Sequence, residues 1–117
     1  MLKAGLKIMD KKDDSPDNVK IRARLLESLG SNYRMKALER RDKSEVYRKK
    51  GEECLLDALE MTEQVEGNIS PQVGSILMSL GNIYFDKREF EQSRKSYEKA
   101  LIIKQHTHGR QDRIEVG

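Results

Sequence analysis

Apolar residues recur every three or four positions along most of this 117-residue chain, which is the spacing of an amphipathic α-helix. The clearest stripe is formed by Val73, Ile76, Leu77, Leu80 and Tyr84. A second stripe follows the polar turn at 86–88 and is formed by Phe90, Ser93, Tyr97, Ala100 and Leu101. The pattern predicts two antiparallel helices that pack face to face.

A weaker copy of this pattern lies upstream. The segment 80–84 (Leu-Gly-Asn-Ile-Tyr) corresponds to 29–33 (Leu-Gly-Ser-Asn-Tyr). Both copies begin with Ser-Pro, at 15–16 and 70–71, and serine caps free amides while proline fits the first helical position. The inward positions of this first helix pair are predicted to be Leu25, Leu26, Leu29, Tyr33, Leu55, Ala58 and Leu59.

The glycine of the Leu-Gly motif carries its own prediction. Gly81 lies inside an apolar stripe, where it costs the helix about 1 kcal/mol relative to alanine. Such a cost is tolerated where a missing side chain lets a neighbouring helix approach closely. We therefore expect a close helix contact at Gly81.

The two copies differ in length. Gly67 and Gly109 are 42 residues apart, whereas the two Leu-Gly motifs are 51 apart. The first copy therefore holds nine extra residues between Tyr33 and Gly51. Because the segment 34–50 contains no Gly or Pro, we expect these residues to lengthen both helices rather than to form a loop.

These motifs resemble the tetratricopeptide repeat, whose usual period is about 34 residues. The 42-residue period and the loop 67–74, of the form Gly-x-x-x-Pro-x-Val-small, look more like the longer repeats of the kinesin light chain group. The resemblance implies an all-α fold, a right-handed superhelical stack of antiparallel helix pairs (an α-solenoid) with about two repeats and a leading partial helix.

The same resemblance divides the chain into four segments. These are the tail of a preceding helix (1–14), a long first hairpin (15–69), a second hairpin (70–113) and the start of a truncated next helix (114–117). A second connecting loop is expected from Gly109 to Gly117, although this segment lacks the proline of the first loop.

Ligands of such repeats usually lie along the concave surface made by the first helix of each hairpin. Carried over by position, the resemblance implies these groove residues: Arg24, Glu27, Ser28, Ser31 and Arg34 in the first unit, and Ser75, Met78, Ser79, Asn82 and Phe85 in the second. Asn82 is the strongest candidate, because an amide can donate to and accept from the backbone of an extended peptide. A polar residue that is merely tolerated on an exposed helix face would look the same.

Charge is unevenly distributed along the first hairpin. Residues 20–50 hold 11 Lys or Arg against four acids, a local net charge of +7, whereas residues 52–68 hold six acids and no base. One interpretation is a solvated helix face beside an acidic one. The other is a basic patch for an acidic peptide, an acidic surface or nucleic acid. No nucleic-acid motif accompanies the patch, which disfavours direct binding to RNA or DNA.

The sequence contains no constellation typical of catalysis. His106 and His108 form the one histidine pair, and two imidazoles alone make a weak metal site. Cys54 has no neighbouring base and is expected to pack as a small hydrophobe. We therefore expect a protein without enzymatic activity, cofactor, metal or membrane span. A single cysteine suits a reducing compartment, so cytoplasm is the expected location.

The expected function is a scaffold or adaptor segment that binds a peptide or helix of a partner protein in its concave groove. Two alternatives stay open. The chain would be a structural element packed within a large cytoskeletal or motor-type assembly, with self-association through its ends. Or it would bind acidic surfaces or nucleic acid through its basic segment.

Overall fold

The computed structural model describes the backbone of residues 15–116 and the side chains of residues 15–107. Within these residues the chain forms α-helices and no strand: α1 (Pro16–Glu39), α2 (Ser44–Glu66), α3 (Pro71–Asp86) and α4 (Phe90–Val116), with a short 3₁₀ turn at Arg41–Lys43. Helices α1 and α2 pack as one antiparallel pair, α3 and α4 pack as a second, and α2 also packs on α3. The predicted all-α, tetratricopeptide-like architecture is confirmed.

Both predicted helix starts are confirmed. The Ser15 hydroxyl accepts a hydrogen bond from the amide of Asn18 at 3.4 Å, and the Ser70 hydroxyl accepts one from the amide of Val73 at 3.2 Å. Each bond satisfies an amide that has no partner inside its own helix. The predicted helix tail at 1–14 lies outside the described residues.

The extra residues of the first hairpin lengthen its helices, as predicted. Helix α1 continues to Glu39 and α2 begins at Ser44, so Arg40 and the 3₁₀ turn are all that separates them. These helices have 24 and 23 residues, whereas α3 has 16. The first hairpin is therefore longer than the helix that packs beside it.

The C-terminal helix differs from the expectation. The sequence placed a loop at 109–117 and a new helix from 114, whereas α4 continues without a break to Val116. A single glycine costs a helix about 1 kcal/mol, which does not end it. The segment also lacks the proline that restarts the chain after Gly67.

Close contacts at small residues hold the helices together. A Cβ atom on Gly30 would lie 2.7 Å from the Cγ atom of Leu55, and one on Gly81 would lie 2.6 Å from the ring of Tyr97. Ser93 closes the second contact by donating a hydrogen bond to the Gly81 carbonyl at 2.9 Å. The close approach predicted at Gly81 is confirmed, and Gly30 makes the corresponding contact in the first hairpin.

A continuous core fills the space between the hairpins. Leu26 of α1, Leu55 of α2, and Ile76, Leu80 and Ile83 of α3 are all buried in one cluster. Full burial of a side chain of this size contributes about 1.5–3 kcal/mol. The two hairpins therefore form one packed unit with a shared core, and not two independently folded units.

Three residues predicted to face inward are exposed instead. Leu25, Phe90 and Leu101 each leave more than half of their surface accessible. They follow the apolar period of their helices, but among the described residues no further helix lies against the faces they occupy. For these three residues the helical period located an apolar face correctly, but it does not show whether another helix packs on that face.

An ion pair joins α2 to the turn that follows α3. The Lys87 ammonium lies 2.5 Å from the Glu52 carboxylate. Partial burial on its own would lower the pKa of Lys87, but the hydrogen bond and charge of Glu52 outweigh it and raise the pKa. Burial, reinforced by Glu52, likewise raises the pKa of the neighbouring Tyr84 hydroxyl. The start of the α3–α4 turn is thereby held against the middle of α2.

Helix α3 ends in a Schellman motif that lacks the usual glycine. The amide of Glu89 donates to the Tyr84 carbonyl at 2.8 Å, and the amide of Arg88 donates to the Phe85 carbonyl at 3.0 Å. This closure requires a left-handed residue at position 88, and Arg88 has a φ of 64°. Glycine is the residue that adopts this conformation without steric cost.

The contact at Gly30 predicts a loss of stability on Gly30→Ala. Alanine gains about 1 kcal/mol of helix propensity, but its methyl group overlaps Leu55, which is fully buried. Overpacking of this kind costs about 1–3 kcal/mol, so we expect a net loss of about 1 kcal/mol in the free energy of unfolding. Urea denaturation measures it, with the exposed Ser28→Ala on the same helix as control. Equal or higher stability for Gly30→Ala would contradict the close contact.

The strained turn predicts a gain of stability on Arg88→Gly. A left-handed conformation costs an L-residue about 1–2 kcal/mol, and part of this is returned because glycine loses more entropy on folding. We expect a higher urea midpoint, by about 0.5–1 kcal/mol in unfolding free energy. Arg88→Ala removes the same charge but keeps the Cβ atom, and it should show no gain. An equal gain in both variants would assign the effect to charge instead of backbone conformation.

Candidate functional site

The side-by-side packing of α1 and α3 creates a small groove. A depression of about 100 Å³ is floored by Leu55 and Ile83, both fully buried. Its other lining residues are Gly30, Ser31, Arg34, Met35, Ser79 and Asn82. Four of the residues predicted from the sequence therefore meet at one place: Ser31, Arg34, Ser79 and Asn82. Met35 was not among the predicted groove residues.

An ion pair lies at one end of this groove. The Arg34 guanidinium donates to the Asp86 carboxylate through Nε at 2.6 Å and through Nη2 at 3.3 Å. The hydrogen bond that Arg34 donates to Asp86 is the main reason that the pKa of Arg34 is raised. Arg34 was predicted as a groove residue that would suit an acidic ligand. Its charge is instead compensated within the chain, by the last residue of α3.

A carboxylate joins the helices at the other end. Glu27 of α1 accepts a hydrogen bond from the Ser75 hydroxyl at 2.6 Å and another from the Gln72 amide. Glu27 and Ser75, both predicted groove residues, thus bridge α1 to α3. Together with the Arg34–Asp86 pair, this bridge fixes how α3 lies along α1.

Asn82 is oriented by the second helix of its own hairpin. The Tyr97 hydroxyl donates to the Asn82 side-chain oxygen, and the Tyr97 ring reaches it across the space left by Gly81. Within residues 15–107 the Asn82 side-chain nitrogen has no hydrogen-bond partner. The amide therefore presents a donor at the rim of the groove while its acceptor is already engaged.

The remaining predicted residues lie elsewhere. Arg24 and Ser28 are exposed on α1. Met78, with Ser75 and Ser79, lines a larger pocket of about 360 Å³ between α3 and α4. Phe85 packs edge-to-face on Phe90, with ring centroids 5.4 Å apart. Met78 and Phe85 thus belong to the α3–α4 face directed away from the first hairpin, and only part of the predicted set forms one site.

Sequence reasoning missed the two partners that organise the groove. Asp86 was assigned to a turn, and Tyr97 was assigned to a packing stripe. Their partners Arg34 and Asn82 are 52 and 15 residues away, and no motif connects them. The one available signal was Gly81, whose missing side chain indicated that something large packs there.

Other potential sites carry no chemistry in the described part of the chain. Among these residues no three His, Cys, Asp or Glu side chains are grouped so that they could hold a metal ion. Cys54 is half-buried and packs against the core, and His106 is exposed. None of the helices in this region is both long enough and apolar enough to cross a membrane.

Comparison with known families agrees with the geometry. Residues 73–113 match the family model of the tetratricopeptide repeat. The second hairpin is therefore a tetratricopeptide repeat, and repeats of this family generally mediate protein–protein interactions and are typically not enzymes. No significant match was found among curated proteins or among solved structures.

The pair at the end of the groove predicts a measurable coupling between Arg34 and Asp86. Its bidentate geometry and partial burial should give a coupling free energy of about 1 kcal/mol. A double-mutant cycle of Arg34→Met and Asp86→Asn, followed by urea denaturation, measures it. The exposed pair of Arg94 and Glu98 within α4 serves as control and should couple more weakly. Purely additive effects of the Arg34 and Asp86 changes would contradict a register-fixing role.

Proposed function

We propose that this chain is a non-catalytic scaffold or adaptor module that binds an extended peptide segment of a partner protein in the groove between α1 and α3. The observation that carries this proposal is the Asn82 amide, whose oxygen is held by Tyr97. Its nitrogen is left to donate to a ligand backbone carbonyl. We place the module in the cytoplasm.

The groove combines one directed donor with an apolar floor. The buried side chains of Leu55 and Ile83 offer apolar surface, and the Ser31 and Ser79 hydroxyls add polar partners at the rim. Such a mixture suits a main chain with one small apolar side chain. The two walls of the groove, α1 and α3, are already fixed by packing, by the Arg34–Asp86 pair and by the hydrogen bonds of Glu27. Binding therefore orders the ligand and costs the protein little conformational entropy.

A second candidate function is structural. Phe85, Phe90 and Leu101 are each more than half exposed and line one depression on the α3–α4 face. An exposed apolar patch of this kind is typical of a protein–protein contact. In this alternative, the hairpins pack on neighbouring subunits of an assembly, and no free peptide enters the groove.

Affinity capture from cell lysate with quantitative mass spectrometry separates these two functions. Asn82→Ala removes the proposed donor. It should lower the affinity for a captured partner about fivefold, which corresponds to the loss of one neutral hydrogen bond. Ser31→Arg fills the groove from an exposed rim position and should abolish capture. The control is Gln92→Ala, which removes an exposed amide from α4 outside the groove.

The patterns of loss decide between the candidates. Partners lost with Ser31→Arg and retained with Gln92→Ala would support groove binding. Partners retained by both groove variants but lost with Phe90→Ser would move the interface to the α3–α4 face. The groove proposal would then be abandoned.

A further inference from the structure

The long first hairpin projects beyond the end of α3. Arg34 pairs with the last residue of α3, and five residues of α1 follow it. Lys87, directly after α3, pairs with Glu52, and eight residues of α2 precede Glu52. At a rise of about 1.5 Å per residue, the hairpin extends roughly 8–12 Å past its neighbour. We call residues 35–50 the projecting tip.

The projecting tip is strongly basic. It holds seven Lys or Arg against three acids, and the pair of Arg40 and Asp42 is its one ion pair among the described residues. Arg41 and Lys43 are exposed and have no acidic partner there. Both lie in the turn that joins α1 to α2, so their charge faces solvent at the end of the tip.

The groove face of α1 continues onto this tip. Ser31 and Met35 both line the groove, and Leu38 follows at helical spacing, so that all three lie on one side of α1. Met35 and Leu38 are 55% and 52% exposed. A chain leaving the groove past Asp86 would therefore meet these apolar side chains first and the basic turn between α1 and α2 beyond them.

We propose that the projecting tip is a second contact region for the same peptide, and that it binds a flank carrying acidic residues next to an apolar one. This inference rests on the proposed groove binding and adds the ligand's chemistry to it. Met35 and Leu38 provide the apolar contact, and Arg41 and Lys43 provide the charge complementarity. The nine extra residues of the first hairpin build this region.

Nucleic acid and membranes fit the tip less well. Tyr33 and Tyr47 stack on each other, with ring centroids 6.2 Å apart, and the Lys50 ammonium lies 5.9 Å above the Tyr33 ring. Both rings are half-buried and each has one face against the other tyrosine, which leaves little aromatic surface to stack on bases. The exposed Met35 and Leu38 continue the groove side of α1, which suits a chain that runs along the groove better than a flat bilayer surface.

A random 12-residue peptide library selected on the full chain tests the proposal. Selected peptides should carry Asp or Glu beside an apolar residue toward one end. Their affinity should fall about fivefold when Arg41 and Lys43 are both changed to Gln, because the loss of each exposed ion pair weakens binding roughly twofold. The control changes Lys95 and Lys99 of α4 to Gln, removes the same charge, and should alter affinity less than twofold. Circular dichroism verifies that each variant folds.

The outcomes separate this inference from the groove itself. Peptides lost with Ser31→Arg but bound equally by the tip variant would leave groove binding intact and overturn the role of the tip. Equal losses in the tip and α4 variants would also overturn it, since the effect would follow net charge alone. Peptides that bind the Ser31→Arg variant as tightly as the unchanged chain would overturn both groove binding and the role of the tip. A failure to select any peptide would overturn both as well. Tip-dependent binding of a 12-nucleotide RNA or of anionic vesicles, without acidic peptides, would assign the tip to those ligands instead.

Discussion

The structure depends on helices approaching closely at residues without bulky side chains. Gly30 lies against Leu55, Gly51 lies against Ile83, and Gly81 lies under the Tyr97 ring. Each glycine costs its helix about 1 kcal/mol of propensity. The burial that becomes possible exceeds this cost, since Leu55 and Ile83 are completely removed from solvent. The same approach brings Tyr97 to Asn82, so the packing that stabilises the second hairpin also orients the candidate binding residue.

Polar contacts then select one register for the packed helices. Apolar surfaces are non-directional, whereas the bidentate pair of Arg34 and Asp86 has a defined geometry. Glu27 provides a second polar anchor to α3, at the other end of the groove. This register has two functional consequences. It places the groove residues of α1 and α3 opposite each other, and it leaves the end of the longer first hairpin projecting past α3.

Local features of the chain could be predicted from the sequence. Ser15 and Ser70 cap helices, and the segment 34–50 lengthens them, because both effects depend on neighbouring residues. The repeat pattern also located the helix face that bears Ser31, Ser79 and Asn82. Features that depend on distant residues could not be predicted. Nothing in the sequence pairs Arg34 with Asp86, and the apolar period cannot distinguish the exposed Leu101 from a covered one.

The shared core implies that the two hairpins form one rigid unit with a preformed groove. Native-state hydrogen exchange measures this cooperativity, because local openings and global unfolding have separate free energies. The core amides of α1, α2 and α3, including those of Leu26, Leu55 and Leu80, should exchange with the free energy of global unfolding. Exchange of the α1 and α2 amides through a lower-energy opening, while α3 and α4 stay protected, would show that the hairpins are independent units.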